Sequence, residues 1–388
     1  MRTAIRGGSA LLEESLVPAD VHVSFDVGAG RITGVGRGMA CDRVLDAAGL
    51  LVLPALVDIH GDAFERQIEP RPGVAFDLDM ALLETDRQLV ANGIATAFHG
   101  ITWSWEPGLR NADNAHALLA TIERLHQRLA ADTHVHLRHE TFNLEAEATI
   151  IEWLGARRIG CLAFNDHMTG TIKDRHRPEK MAAMIARARI GASAFQALVD
   201  RVYARRDEVT ASMTRLAAAA RAAGVPMLSH DDRDTGTRDW FRTRGVAISE
   251  FPVTAEVAAA ACAQGDTTVF GAPNVVRGGS HTGCPAAAEM VSRGHCSILA
   301  SDYYYPALLH APFRLAADGV ASLPQAWRLV SRNPAVALGL DDRGVIEAGM
   351  RADIILVEAS EGEAPSVVAT IANGRIRYLG DGARLSSA

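Results

Sequence analysis

An α/β chain folded as a (β/α)8 TIM-like barrel, with a small β-sandwich formed by both chain termini, is the architecture this sequence predicts. Three observations predict it. Apolar strands alternate with amphipathic helices through the middle of the chain. The two ends share a different texture of short strands and glycine turns. Of the eight apolar runs in between, six end in the histidines and carboxylates taken below as metal-site candidates. The 388 residues suffice for one large barrel and a small accessory domain.

The elements follow in order. Strands are expected at Val21–Phe25, Arg31–Val35 and Arg43–Asp46, and again at Ala352–Val357 and Ser366–Tyr378, the last interrupted by the hairpin signal Asn373-Gly374. Barrel strands are expected to end near Asp58–His60, Phe98–His99, Leu137–Glu140, Phe164–His167, Leu228–His230, Ile248–Glu250, Phe270–Ala272 and Leu299–Asp302. The first of them is read as one apolar strand from Leu51 to Val57. Helical runs lie at Leu78–Ala91, Asn114–Ala131, Glu145–Arg157, Glu208–Ala223, Ala255–Ala263, Pro285–Arg293 and Pro324–Ser331. The interval from Asp166 to Val225 is too long for one loop and one helix, so Pro178–Arg206 reads as extra helix. The expected domains are a composite sandwich (1–50 with 341–388) and a barrel (51–340) with a helical cap near 168–206.

Composition narrows the function. Hydrophobic residues at 48% and charged residues at 22% are ordinary for a globular protein, and a net charge of −7 argues against nucleic acid or membrane surface as partner. No apolar stretch is long enough to span a bilayer. Five irregularly spaced cysteines and the absence of an apolar leader ahead of a cleavage site lead to a reduced, cytoplasmic setting as the expectation. Lysine occurs only at Lys173 and Lys180, which fits coding bias toward arginine.

The chemistry is expected at the C-terminal ends of the barrel strands. His60 and Asp62 lie two residues apart on an extended strand, so both side chains point to one side. His139 and Glu140, Asp166 and His167, His230 with Asp231 and Asp232, Glu250, and Asp302 end other strands. Imidazoles and carboxylates converging there suit a divalent metal, and a metal lowers the pKa of water enough to make a nucleophile. Asp302, ending the last strand, suits proton transfer. Val276-Arg277-Gly278-Gly279-Ser280-His281 reads as an anion cradle: two glycines admit positive φ and close approach, Arg277 adds charge, and Ser280 and His281 add donors. Lys173 opens a second basic run, through Arg175, His176, Arg177 and Lys180, that serves either as a contact to an anionic tail or as a solvated helix start. Trp103 and Trp105 are read first as packing.

These residues resemble the amidohydrolase superfamily. The first-strand motif there is usually Asp-x-His-x-His; here Asp58-Ile59-His60-Gly61-Asp62 replaces the second histidine with aspartate. A narrower resemblance is to the PhnM family, the alpha-D-ribose 1-methylphosphonate 5-triphosphate diphosphatases. It is carried by His60-Gly61-Asp62, Pro70-Arg71-Pro72, His136-Leu137-Arg138-His139-Glu140, Asp166-His167, Ser229-His230-Asp231-Asp232, Glu250-Phe251-Pro252, Arg277-Gly278-Gly279-Ser280-His281 and Ser301-Asp302-Tyr303-Tyr304. The resemblance implies one metal on His60 and Asp62 with Asp302 close by. It further implies Glu140 in place of a bridging carboxylated lysine, and a second metal on His230, with His167 compensating for Glu250 on the sixth strand. A divalent metal is expected, one or two zinc ions first, with manganese or iron as the alternatives. The implied reaction is hydrolysis of a ribose 5-triphosphate, releasing pyrophosphate. The implied substrate is a small phosphorylated sugar, and homo-oligomerisation is left open. Two other readings compete: hydrolysis or deamination at a C–N bond by the same metal site, and a non-catalytic barrel scaffold.

Overall fold

The computed structural model describes residues 1–280, 283–360 and 362–388. An eight-stranded sheet takes its strands in chain order: Leu56–Gly61, Ile94–Trp103, Asp132–Glu140, Cys161–Asn165, Met227–His230, Ile248–Glu250, Thr267–Gly271 and Ile298–Ala300. Helices separate successive strands, which is the (β/α)8 pattern. The chain divides into two compact units, Met1–Phe98 with Leu125–Thr133 and Phe270–Ala388, and His99–Arg124 with His134–Val269.

In the first unit, backbone pairing joins the first barrel strand to the segment after the last one. The Asp302 N–H donates to the His60 carbonyl at 2.9 Å, and the Asp62 N–H donates to the Asp302 carbonyl at 2.9 Å. This unit also holds the two sheets of the sandwich, one five-stranded and one six-stranded, and both mix strands from the two chain ends. Their shared core includes Ile5, Val21, Val23, Ile32, Leu45, Val52, Ile354, Leu356 and Ile371. The Asn373-Gly374 signal is a hairpin as expected, with positive φ at both residues (50° and 70°) between Ser366–Ala372 and Arg375–Leu379.

The expected strand Leu51–Val57 is two strands. Leu51–Pro54 runs antiparallel to Ile354–Glu358 in the six-stranded sheet, and Leu56–Gly61 opens the barrel. The break falls at Ala55, just after the proline, whose nitrogen has no proton for a ladder. The second barrel strand runs four residues past its expected end at His99, to Trp103. Short strands at Arg2–Arg6, Ser9–Leu12 and Ser15–Pro18 complete the sandwich.

In the second unit, parallel registers put His136 beside Cys161, Arg138 beside Ala163 and Glu140 beside Asn165. The expected extra helix is two helices, Pro178–Ala188 and Ala192–Tyr203, the first opened by its proline and stopped by Arg189 in the left-handed region. They bury Ala188, Phe195 and Val199 with Met168, and Trp105 packs against this cluster. Trp103 is buried edge-on to His116 and beside Trp153, so both tryptophans are packing residues.

Candidate functional site

The first unit assembles His60, Asp62 and Asp302. His60 is buried near the end of its strand, the two aspartates are partly exposed, and one donor atom from each lies within 4.8 Å of the others. One imidazole nitrogen with two carboxylate oxygens is a donor set for zinc, manganese or iron(II), whose donors stand roughly 3–4 Å apart when bonds are about 2.0–2.2 Å long. Asp302 adopts φ 55°, a left-handed backbone uncommon for a non-glycine residue and held here by its two bonds to the first strand.

Asp58 fixes this geometry from below. Its carboxylate accepts from the Ser301 N–H at 3.0 Å and from the Ser301 hydroxyl at 2.5 Å. Ser301 in turn carries Asp302. Burial pushes the Asp58 carboxyl up to about 6 even though the Ser301 donors pull it down. Gly61, between the two ligand candidates, has no room for a side chain: a Cβ there would lie 2.7 Å from Asp58 Oδ2 and 2.9 Å from Tyr305 Cε1.

The second unit gathers Arg138, Glu140, His167 and His230. Glu140 accepts from His167 twice, from Nδ1 at 2.5 Å and from the backbone N–H at 3.2 Å. Burial drives the Glu140 carboxyl up, but the His167 imidazole and its hydrogen bonds outweigh that and hold it at about 2. His230 Nδ1 faces Asp231 Oδ2 at 3.1 Å, and its Nε2 meets Arg138 Nη2 at 3.2 Å. Glu250 Oε2 lies 3.8 Å from His136 Nε2 and 3.9 Å from His230 Nε2. His136 and Arg138 are the additions to the expected set. Their signal was two-residue spacing: His136, Arg138 and Glu140 share one face of their strand, whereas His139 points to the other. His139 is buried, and burial lowers its imidazole to about 4.

Beneath His230 a buried network fixes the loop. Asp232 Oδ2 accepts from Ser229 Oγ at 2.7 Å, Ser249 Oγ at 2.6 Å and Arg238 Nη1 at 3.2 Å. Arg238 also pairs with Asp266 at 3.3 Å. Beside it opens a cavity of about 500 Å³ whose walls include Asp166, His230, Asp231, Arg233 and Trp240. That volume suits a small-molecule ligand.

The substrate-binding expectations fare differently. Arg277 ends the helix Ala272–Arg277, is exposed, and donates to the Tyr303 hydroxyl at 3.4 Å. The Gly278 N–H donates to the Val275 carbonyl and the Gly279 N–H to the Asn274 carbonyl, at 3.1 and 2.9 Å. These two donors close the helix end, a left-handed glycine stop. The expectation that they point at an anion is corrected; among the described residues of the stretch, Arg277 and Ser280 offer polar side chains. His281 lies outside the described residues. Lys173 is exposed in the last turn of His167–Asp174, while Lys180 and Arg177 pair with Asp174 at 2.5 and 3.5 Å.

Comparison with known proteins bears on these arrangements. Residues 72–378 match an amidohydrolase family. The alpha-D-ribose 1-methylphosphonate 5-triphosphate diphosphatase of Escherichia coli (strain K12) is 31% identical over 348 residues, spanning 88% of this chain and 92% of that protein. Among solved structures, an amidohydrolase from an environmental sample of the Sargasso Sea superposes with a TM-score of 0.66 at 16% identity, covering 98% of this chain and 93% of the other. The dihydropyrimidinase of Brevibacillus agri gives 0.58 at 13% identity, covering 98% and 95%. Identities this low speak to the fold alone. Among the described residues, no helix is long and apolar enough to cross a membrane.

Proposed function

The chain belongs to the amidohydrolase family, and on that premise we propose that it is a metal-dependent hydrolase releasing pyrophosphate from alpha-D-ribose 1-methylphosphonate 5-triphosphate. The carrying observation is the convergence of His60, Asp62 and Asp302 in a chain 31% identical to a diphosphatase of that substrate. In this reading the barrel, expected over 51–340 and opening at Leu56, carries the chemistry. The terminal sandwich, which takes Leu51–Pro54 besides 1–50 and 341–388, contributes none of the ligands. The setting is cytoplasmic.

His60, Asp62 and Asp302 would hold the divalent ion, zinc first. Bound there, such an ion supplies a Lewis acid that polarises water and phosphoryl oxygen. The chain's residues do the rest. Asp302 accepts the proton of the attacking water. The water oxygen bonds to phosphorus, the bridge between the α- and β-phosphates breaks, and pyrophosphate leaves. Arg277, exposed in the unit that carries Asp302, neutralises charge on the polyphosphate through paired N–H donors. Ser280 adds a hydroxyl donor. Ser301 and Asp58 keep Asp302 in place.

The test is turnover of a ribose 5-triphosphate analogue with pyrophosphate detection, run beside a dihydropyrimidine. Pyrophosphate release that depends on His60 supports the reading. Ring opening of the dihydropyrimidine without pyrophosphate release transfers the site to C–N bonds.

A further inference from the structure

We propose that the Arg138 guanidinium, and not a second metal ion, fills the seat formed by Glu140, His167 and His230. A metal there needs free donor atoms. Glu140 spends Oε1 on the His167 imidazole and Oε2 on the His167 N–H, at 2.5 and 3.2 Å. That takes His167 Nδ1 as well, so Nε2 is the one nitrogen this ring has left to give. His230 has a neighbour at each ring nitrogen, Asp231 at 3.1 Å and Arg138 at 3.2 Å. With Nδ1–H given to Asp231, the Nε2 lone pair is the one left to bind a metal, and the arginine N–H uses it. A metal bonds an imidazole nitrogen at about 2.0–2.1 Å along that same lone pair, so the two occupants exclude each other. While Arg138 stays where it is, His230 gives the seat no nitrogen, and His167 with Glu140 alone falls short of the three protein ligands a metal site takes.

Arg138 is built into this position. It is 5% exposed and sits on the same strand face as His136 and Glu140. The strand next to it contributes Ala163 in register, and a methyl group leaves the width for a long side chain to cross to His230 one strand further on. Buried Glu140 and Glu250, with half-exposed Asp231, give this region three carboxylates. A guanidinium stays charged at every accessible pH and offers five donors, so it balances them without a metal. Glu140 is thereby a partner of arginine and histidine, and the chain's metal belongs to His60, Asp62 and Asp302. The inference concerns only whether the second seat takes a metal, and it holds for any substrate.

The experiment counts metal. Full-length wild type, Arg138→Met, His230→Ala and the double variant are loaded with Zn(II) or Co(II), gel-filtered, and analysed for metal per chain by mass spectrometry, with circular dichroism as a check of folding. Arg138→Met should carry one more ion per chain than wild type, and the double variant should lose it again. His230→Ala alone should match wild type. Equal counts in wild type and a folded Arg138→Met, or one ion fewer in His230→Ala, overturn the proposal. Should Arg138→Met fail to fold, the His230→Ala count decides by itself. His60→Ala tests the metal of the proposed hydrolase separately, because loss of that ion leaves the difference between wild type and Arg138→Met unchanged.

Discussion

Replacing Asp58 by asparagine should raise stability at neutral pH. Asp58 is fully buried, and burial lifts its carboxyl from 3.8 to about 6. Between those values the native state binds more protons than the unfolded chain, so stability is fullest below about 3.8 and falls as pH rises through the window to 6. A shift of about 2 units, at about 1.4 kcal/mol each, amounts to roughly 3 kcal/mol lost by pH 7. Asparagine escapes that loss. Its Oδ1 can still accept from the Ser301 N–H, and its amide can donate to the Ser301 hydroxyl, bonds that Asp58 makes at 3.0 and 2.5 Å. The assay is urea unfolding of metal-free wild type and Asp58→Asn from pH 3.5 to 8, because a nearby cation would pull the carboxylate back down. The curves should diverge between pH 4 and 6 by up to about 3 kcal/mol, the variant being the more stable at pH 7. Parallel curves would refute the account of a strained, charged Asp58. The same variant should turn over substrate poorly, since the carboxylate fixes Ser301 and hence Asp302; a stability gain joined to a functional loss is the usual trade at a site.

Other outcomes follow from the same geometry. Gly61→Ala places a Cβ 2.7 Å from Asp58 Oδ2; urea unfolding should show a loss of about 1–3 kcal/mol, and a neutral effect would show that the strand yields freely. Arg238→Met leaves Asp232 buried without its guanidinium, while Asp266 keeps Arg242 at 2.8 Å, and should cost about 3–5 kcal/mol; adding Asp232→Asn should recover part of it in a double-mutant cycle. Asp302→Asn should lower kcat by about 10²–10⁴ with metal retained, and a change below tenfold would remove Asp302 from proton transfer. Arg277→Ala should raise KM for a triphosphate more than for a monophosphate, and equal loss on both would leave the arginine no role in binding the tail.

Much of this was legible because it is local. Period-2 spacing put His60 and Asp62 on one face, and turn chemistry found the Asn373-Gly374 hairpin. The break at Ala55 was hidden because an apolar run looks the same whether it serves one sheet or two; only the partner strand Ile354–Glu358, three hundred residues on, separates Leu51–Pro54 from Leu56–Gly61. Gly278 and Gly279 misled for a related reason. A glycine pair opens an anion nest or closes a helix, and the difference lies in where Val275 and Asn274 point their carbonyls. Arg138 was in view within His136-Leu137-Arg138-His139-Glu140, but its meeting with His230 is a tertiary event between strands that do not adjoin. Buried Arg238 has the composition of a surface helix residue, and nothing local marks it as the anchor of Asp232.

The Leu51–Pro54 strand has a consequence in time. Its sheet partner, Ile354–Glu358, leaves the ribosome about 300 residues later, which at roughly 5–20 residues per second is a wait of about 15–60 s. Throughout that interval the nascent sandwich exposes apolar Val52 and an unpaired strand edge while the barrel is still being synthesised. The protein should therefore depend on chaperones during translation more than its finished core suggests. A circular permutant that brings residues 341–388 ahead of residue 1 should shorten the wait and fold with less assistance.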